Sequence, residues 1–176
     1  YPNWKVVVYV GKSVNKSTID LLKALGAVTI LQPEEETPSA MFWRFQAVNI
    51  PDAERVIFRD ADSRISAREA SAVTEWISSG KSLHIIRDHP WHSKNIMGGM
   101  WGVQGSRALE IVSDHLQQNT YSSGKYGDDQ DFISSEIYPD FLGDRLAHDS
   151  FYRFTENTRS LGPRKSGEFI GEVIQC

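Results

Sequence analysis

The chain has a single cysteine in 176 residues, Cys176, so it can form no internal disulfide. It also shows no positively charged, apolar leader, and the two absences together lead us to expect a reducing, cytoplasmic setting. Long apolar runs are missing too. The longest, residues 6–10, has the length of a strand and falls far short of the roughly 20 residues a membrane helix needs, so no transmembrane segment is expected. Positive charge is not in surplus: 19 Lys and Arg against 23 Asp and Glu give a net charge of −4, which makes nucleic acid an unsuitable partner. With 40% hydrophobic and 24% charged residues, the composition is that of a soluble globular chain, and its length suits one domain spanning residues 1–176. The start at Tyr1 without a methionine and the stop at Cys176 suggest a piece of a longer polypeptide.

Strands and helices alternate in the pattern. Residues 4–10 form a β-branched run without polar alternation, which predicts a strand buried on both faces. A helix follows from Ser17, with Ile19, Leu22 and Leu25 on one face and Gly26 as its stop. Short strands are predicted at 27–31, 55–59 and 82–86, and an apolar helix at 41–48. Ser66 and Glu69 form a capping box ahead of a helix with Ala70, Val73 and Ile77 buried and Gly80 at its end. Residues 87–105 read as a loop rich in unusual residues, and Leu109, Val112 and Leu116 mark a helix over 106–118. A further helix starts at Asp128 or Asp129 and runs to Ile137; beyond Gly143 the chain reads as loop with a last strand at 169–174. This order predicts an α/β sandwich of Rossmann-like type with a mainly parallel, mixed sheet.

Several motifs fail on spacing. Gly11-Lys12-Ser13 resembles the end of a phosphate-binding loop, but Val6 stands where that loop needs its first glycine. Gly99, Gly102 and Gly105 recur every third residue, which is not the dinucleotide fingerprint. His89 and His92 lack the i, i+4 spacing of a helical zinc site.

Asp60-Ala61-Asp62 is stronger because of where it stands. With 12 aspartates in the chain, about one such triplet arises by chance. This one follows a strand directly, however, and in α/β sheets ligands gather beyond the carboxyl ends of strands. Carboxylates at i and i+2 of an extended chain point the same way and suit one hard cation, Mg²⁺ or Mn²⁺; the bland alternative is a turn that caps the next helix. The cluster from Gly127 through Asp128, Asp129, Gln130 and Asp131 holds more acid than a cap requires, and residues 95–102 combine glycines, where a ligand can come close, with the indole of Trp101.

In that order, Phe58-Arg59-Asp60-Ala61-Asp62, the Gly98 to Gly102 loop and Asp129-Gln130-Asp131 resemble the GT-A glycosyltransferases, nearest the glycogenin and bacterial galactosyltransferase type. The stretch from Trp43-Arg44-Phe45 to Trp101-Gly102, with its RDHP…GGMWG loop, is also similar to a group of uncharacterised glycosyltransferase-like proteins. The resemblance implies that Asp60, Asp62 and His148 bind Mn²⁺ or Mg²⁺, and through it a UDP- or GDP-sugar donor. It places Asp129, Gln130 and Asp131 in the catalytic centre. Arg44, Arg59, Arg64, Asp88, His89, Gly98, Gly99 and Trp101 become substrate contacts, and a glycan or other hydroxyl compound becomes the acceptor. Related folds also carry a nucleotide-binding strand ahead of the equivalent of residues 4–10, which this sequence does not contain. Two rivals stand beside this reading. One is a haloacid-dehalogenase-like phosphatase using Asp60, Asp62, Asp128 and Asp129 with Mg²⁺; the other is an inactive module that binds a sugar or a partner.

Overall fold

The computed structural model describes residues 1–32, 36–118, 124–154, 158–165 and 167–173. A parallel pair, β1 (Val7–Val10) and β2 (Val28–Leu31), is connected by α1 (Lys16–Ala24). A 3-10 helix, Pro38–Asn49, leads into β3 (Arg55–Phe58), and α2 (Ala67–Ser79) leads into β4 (Leu83–Arg87). Next come β5 (Trp101–Gln104), α3 (Ser106–Gln117) and α4 (Asp128–Phe132). A π-helical turn over Ile133–Ile137, the short α5 (Tyr138–Asp140) and β6 (Arg145–Asp149) complete the order.

The main sheet has the order β3-β5-β4-β6, with β5 antiparallel to both neighbours and β4 parallel to β6. The mixed α/β architecture expected from the sequence is what forms, but in two sheets, and the main one is not mainly parallel: two of its three strand pairings are antiparallel. Alternation along β4 shows how the two faces are used. Leu83 and Ile85 enter the main core with Phe45, Phe58, Trp101, Leu109, Val112 and Phe132, beneath the 3-10 helix and α3. His84 and Ile86 face α2, where His84 stacks on Trp76 at 5.1 Å and Ile86 packs on Ala72.

Some expectations need correction. β5 falls in a stretch read as loop, because Gly102 interrupts the apolar pattern; there a Cβ would lie 2.9 Å from the Val56 carbonyl, so only glycine lets β3 and β5 approach. β6 was also read as loop, because its polar residues His148 and Asp149 are buried and hide its strand character. Over 169–173 there is only an isolated bridge from Val173 to Ser63, and Ile174 and Cys176 lie outside the described residues, as do Glu34 and Glu35 of the acidic loop. The buried residues of α2 are Glu69, Ala72, Val73 and Trp76; Val73 is buried as expected, while Ala70 and Ile77 are only half-buried. Ser66 does cap α2, accepting from the Glu69 N–H at 3.1 Å, and Gly80 ends it in the left-handed region. The Glu69 side chain turns instead to Arg59, at 2.5 Å, and to the Tyr1 hydroxyl, at 3.0 Å.

Candidate active site

At the carboxyl end of β3 the chain turns over Asp60–Ser63, where the Ser63 N–H and hydroxyl both donate to the Asp60 carbonyl, at 3.2 and 2.9 Å. The turn leaves the side chains of Asp60 and Asp62 exposed to solvent. Arg44 reaches across from the 3-10 helix, its own Nε anchored on the Met41 carbonyl at 3.0 Å. One guanidinium nitrogen pairs with Asp60 Oδ1 and the other lies 3.5 Å from Oδ2 of Asp129, on α4. Arg44 therefore ties two acids 69 positions apart in sequence into one site.

The Gly98-Gly99 segment closes the arrangement from the third side. A Cβ on Gly99 would fall inside the Asp60 carboxylate and 2.9 Å from the Asp60 backbone nitrogen; one on Gly98 would lie 3.3 Å from Asp129 Oδ2. Gly99 is thus needed for this close approach, whereas at Gly98 Asp129 would have to give by only a few tenths of an ångström. Gln130 holds the segment in place, accepting from the Gly98 N–H at 3.0 Å and donating to the Ile96 carbonyl at 2.5 Å. Asp129 is 3% exposed; burial raises its carboxyl above the ordinary value, and Arg44 opposes the shift.

The structure thus brings together Arg44, Asp60, Gly98, Gly99, Asp129 and Gln130, with Asp62 in the adjoining turn. Asp131 and Arg64 are exposed. The other expected residues lie elsewhere. Trp101 is fully buried in the core, 4.2 Å from Phe58 ring to ring, so it offers no face to a ligand. Arg59 folds back on Glu69 and on the Phe58 and Trp101 carbonyls, at 2.6 and 3.1 Å. Asp88 is fully buried and serves as a structural hub. It is held by Arg68, by Arg164 and Ser150 at 2.7 and 2.8 Å, and by the Ile170 N–H at 2.9 Å. His89 packs on Phe169 at 4.2 Å and on the exposed Trp91 at 4.8 Å.

His148 is also engaged elsewhere. It is buried on β6, with Nδ1 2.9 Å from His84 Nε2 and Nε2 3.1 Å from Glu75. Among the described residues, no three His, Cys, Asp or Glu side chains are grouped to hold a metal ion. The donors present are the two exposed carboxylates of Asp60 and Asp62. Carboxylate oxygens are ligands of the kind Mg²⁺ and Mn²⁺ take, but Asp60 Oδ1 is already paired with Arg44. Of the four acids of the phosphatase reading, Asp128 accepts from the Lys125 N–H at 3.1 Å within its own turn and Asp129 is buried.

Sequence reasoning missed the buried pair of Arg87 with Asp149, at 2.6 Å, and the His84–His148–Glu75 chain. The charged residues inside β4 and β6 were the available signal. Among the described residues no helix is long and apolar enough to cross a membrane.

No protein-family model matches the sequence, and no curated protein matches it. Among solved structures the fold is similar to that of a glycosyltransferase involved in the glycosylation of the major capsid of PBCV-1. The TM-score is 0.52 at 17% identity, over 83% of this chain and 82% of that one. At such identity the likeness establishes a shared fold and nothing of the role.

Proposed function

We propose that this chain is a glycosyltransferase domain that takes its sugar from a nucleotide-diphosphate donor, UDP- or GDP-linked, and passes it to a glycan or other hydroxyl acceptor. The observation that carries the reading is the convergence of Asp60 and Asp129 on Arg44, around two glycines against which their carboxylates pack. The site lies beyond the carboxyl end of β3, and the fold likeness to a glycosyltransferase supports the same reading.

Asp60 and Asp62 are the residues that would hold Mn²⁺ or Mg²⁺, which when bound neutralises charge on a departing diphosphate. Arg44 supplies fixed positive charge at the same place. Asp129, held close to Gly98, accepts hydrogen bonds from sugar hydroxyls, with Asp131 at the exposed rim. Gln130 acts as a positioning residue by fixing the glycine segment.

Calorimetric titration with UDP and with GDP, each with and without Mn²⁺, tests this on the wild-type chain and on Asp62→Ala. Metal-dependent binding of one nucleotide, lost in the variant, is the expected result. Binding that ignores both the metal and Asp62 overturns the role given to the carboxylates, and absence of nucleotide binding overturns the donor.

A further inference from the structure

Arg87 ends β4 and Asp149 ends β6, and the two strands are parallel. β3 runs the same way, because β5 is antiparallel to both β3 and β4. The loop beyond Arg87, the chain beyond Asp149 and the Asp60–Ser63 turn therefore leave the same edge of the sheet. By strand spacing, β4 stands about 10 Å from β3 and β6 about 14 Å. The loop between β4 and β5 also reaches the Asp60 turn directly, since it carries both Trp91 and the Gly99 that packs on Asp60.

Aromatic rings project from this edge into solvent. Trp91 is 81% exposed, Phe154 45% and Tyr152 39%, and among the described residues none of the three packs into a hydrophobic core. They belong to one row. The Phe154 and Tyr152 rings lie 5.6 Å apart and nearly parallel, at 16°. The Tyr152 hydroxyl donates to the carbonyl of Pro90, the residue before Trp91. Trp91 lies 4.8 Å from His89 ring to ring, and His89 lies 4.2 Å from Phe169.

The backbone beneath the rings is fixed in advance. Asp149 Oδ1 accepts from the Phe151 and Tyr152 N–H groups at 2.7 and 2.8 Å, and its Oδ2 from the Arg153 N–H at 3.1 Å. The fully buried Arg87 holds the same carboxylate at 2.6 Å, and its guanidinium lies 4.8 Å from the centre of the Phe154 ring. On the other loop the Trp91 N–H donates to His89 Nδ1 at 3.2 Å, and the Asp88 N–H to His92 Nδ1 at 3.0 Å. Rings held in water on a rigid support mark a binding surface, because the support removes much of the ordering cost of binding.

The row selects its ligand by shape and polarity. A pyranose has a face of C–H groups and a rim of hydroxyls, so the face lies on an aromatic ring while the rim stays in water. Successive rings repeat that contact along a chain of sugars, whereas a free sugar or small alcohol uses one ring. The row begins two strand positions from the centre formed by Asp60 and Asp129, so a glycan whose end lies at that centre passes over it.

We propose that Trp91, Tyr152 and Phe154 form a platform for an oligosaccharide chain, so that the acceptor is a glycan of several units and not a small hydroxyl compound. The acceptor role rests on the glycosyltransferase reading above; the platform itself requires neither nucleotide nor metal.

The test is calorimetric titration of the chain, without metal or nucleotide, with mono-, di- and hexasaccharides of the malto, cello, xylo and chito series. At least one hexasaccharide should bind about ten-fold or more tightly than its disaccharide, because it engages several rings at once. Trp91→Ala should weaken that binding about ten-fold or more and leave the urea midpoint unchanged, since the side chain lies in water. Tyr152→Ala and Phe154→Ala should each weaken it several-fold. Trp91→Phe should retain most of the binding, and Leu25→Ala, at the exposed end of α1, all of it. Absence of binding by every hexasaccharide overturns the proposal, as does binding that ignores chain length or Trp91. Tighter binding of a polyproline peptide would assign the row to a protein ligand, and self-association lost in Trp91→Ala would assign it to a second copy; either result overturns the glycan. Parallel titration with UDP and GDP in the presence of Mn²⁺ separates the two readings. Nucleotide binding without glycan binding removes the platform alone, and glycan binding without nucleotide binding keeps the platform and removes the transfer reading.

Discussion

Asp88 offers the sharpest test of the energetics, because its whole environment is defined. Its carboxylate has no solvent exposure and gathers Arg68, Arg164, Ser150 and the Ile170 amide, which joins α2 to the chain beyond β6. Burial alone would raise its pKa, but hydrogen bonds from Arg68, Ile170, Ser150 and Arg164 outweigh that and bring it from 3.8 down to about 2. A folded-state pKa below the unfolded value means the stabilisation is fully present above the unfolded value and disappears as pH falls through the folded one. The window therefore runs from about pH 4 down to about pH 2, and the depression of nearly two pH units corresponds to about 2 kcal/mol. Asp88→Asn keeps the shape and removes the charge, leaving both guanidiniums without their partner. We expect a loss of about 2 to 3 kcal/mol at pH 7, measured as a lower urea midpoint with unchanged slope. The gap between variant and wild type should narrow steadily below pH 4. A loss under about 0.5 kcal/mol at pH 7, or a gap that stays constant down to pH 2, would refute the reasoning.

Other consequences are equally direct. Gly99→Ala must push the Asp60 turn away from the glycine segment, at a cost of about 1 to 3 kcal/mol, and should abolish metal-dependent nucleotide binding. Gly98→Ala, which asks Asp129 to give by only a few tenths of an ångström, should weaken binding far less; equal effects of the two substitutions in the same titration would contradict the geometry. The buried histidines predict acid sensitivity. Burial, followed by the neighbouring His148 and Arg59, holds His84 well below its ordinary value; burial and His89 bring His92 to about 4, and burial lowers His148 despite Glu75. The unfolded chain therefore binds more protons below about pH 6.5, and stability should fall as pH drops from there toward 4, by up to about 1.4 kcal/mol per pH unit for each histidine. Urea midpoints at half-unit intervals check this, and a flat profile between pH 6.5 and 4.5 would count against it.

The parts of the fold that the sequence determined rest on local chemistry. The Ser66 cap and Gly80 fix both ends of α2 through contacts within a few residues, and the β-branched run of β1 and the Leu109–Val112 stripe of α3 are stiff or periodic without outside help. The conjunction of Asp60, the glycine pair and Asp129 was legible for a related reason, since each sits at or close to the boundary of an element, although only Asp60 is exposed. What the sequence could not decide was which residues share an environment. Trp101 and Asp88 have the composition of ligand contacts, yet one fills the core against Phe58 and the other binds two arginines from distant segments. His148 stands in β6, where pairing with β4 sets it against His84 and commits it to a buried hydrogen-bond chain. β5 and β6 escaped notice because a strand with glycine or buried charge takes its stability from neighbours rather than from propensity. The tertiary structure alone decided that Arg44 bridges two distant acids, because a salt bridge depends on separation in space, which the packing of the 3-10 helix against α4 sets and the order of residues does not reveal.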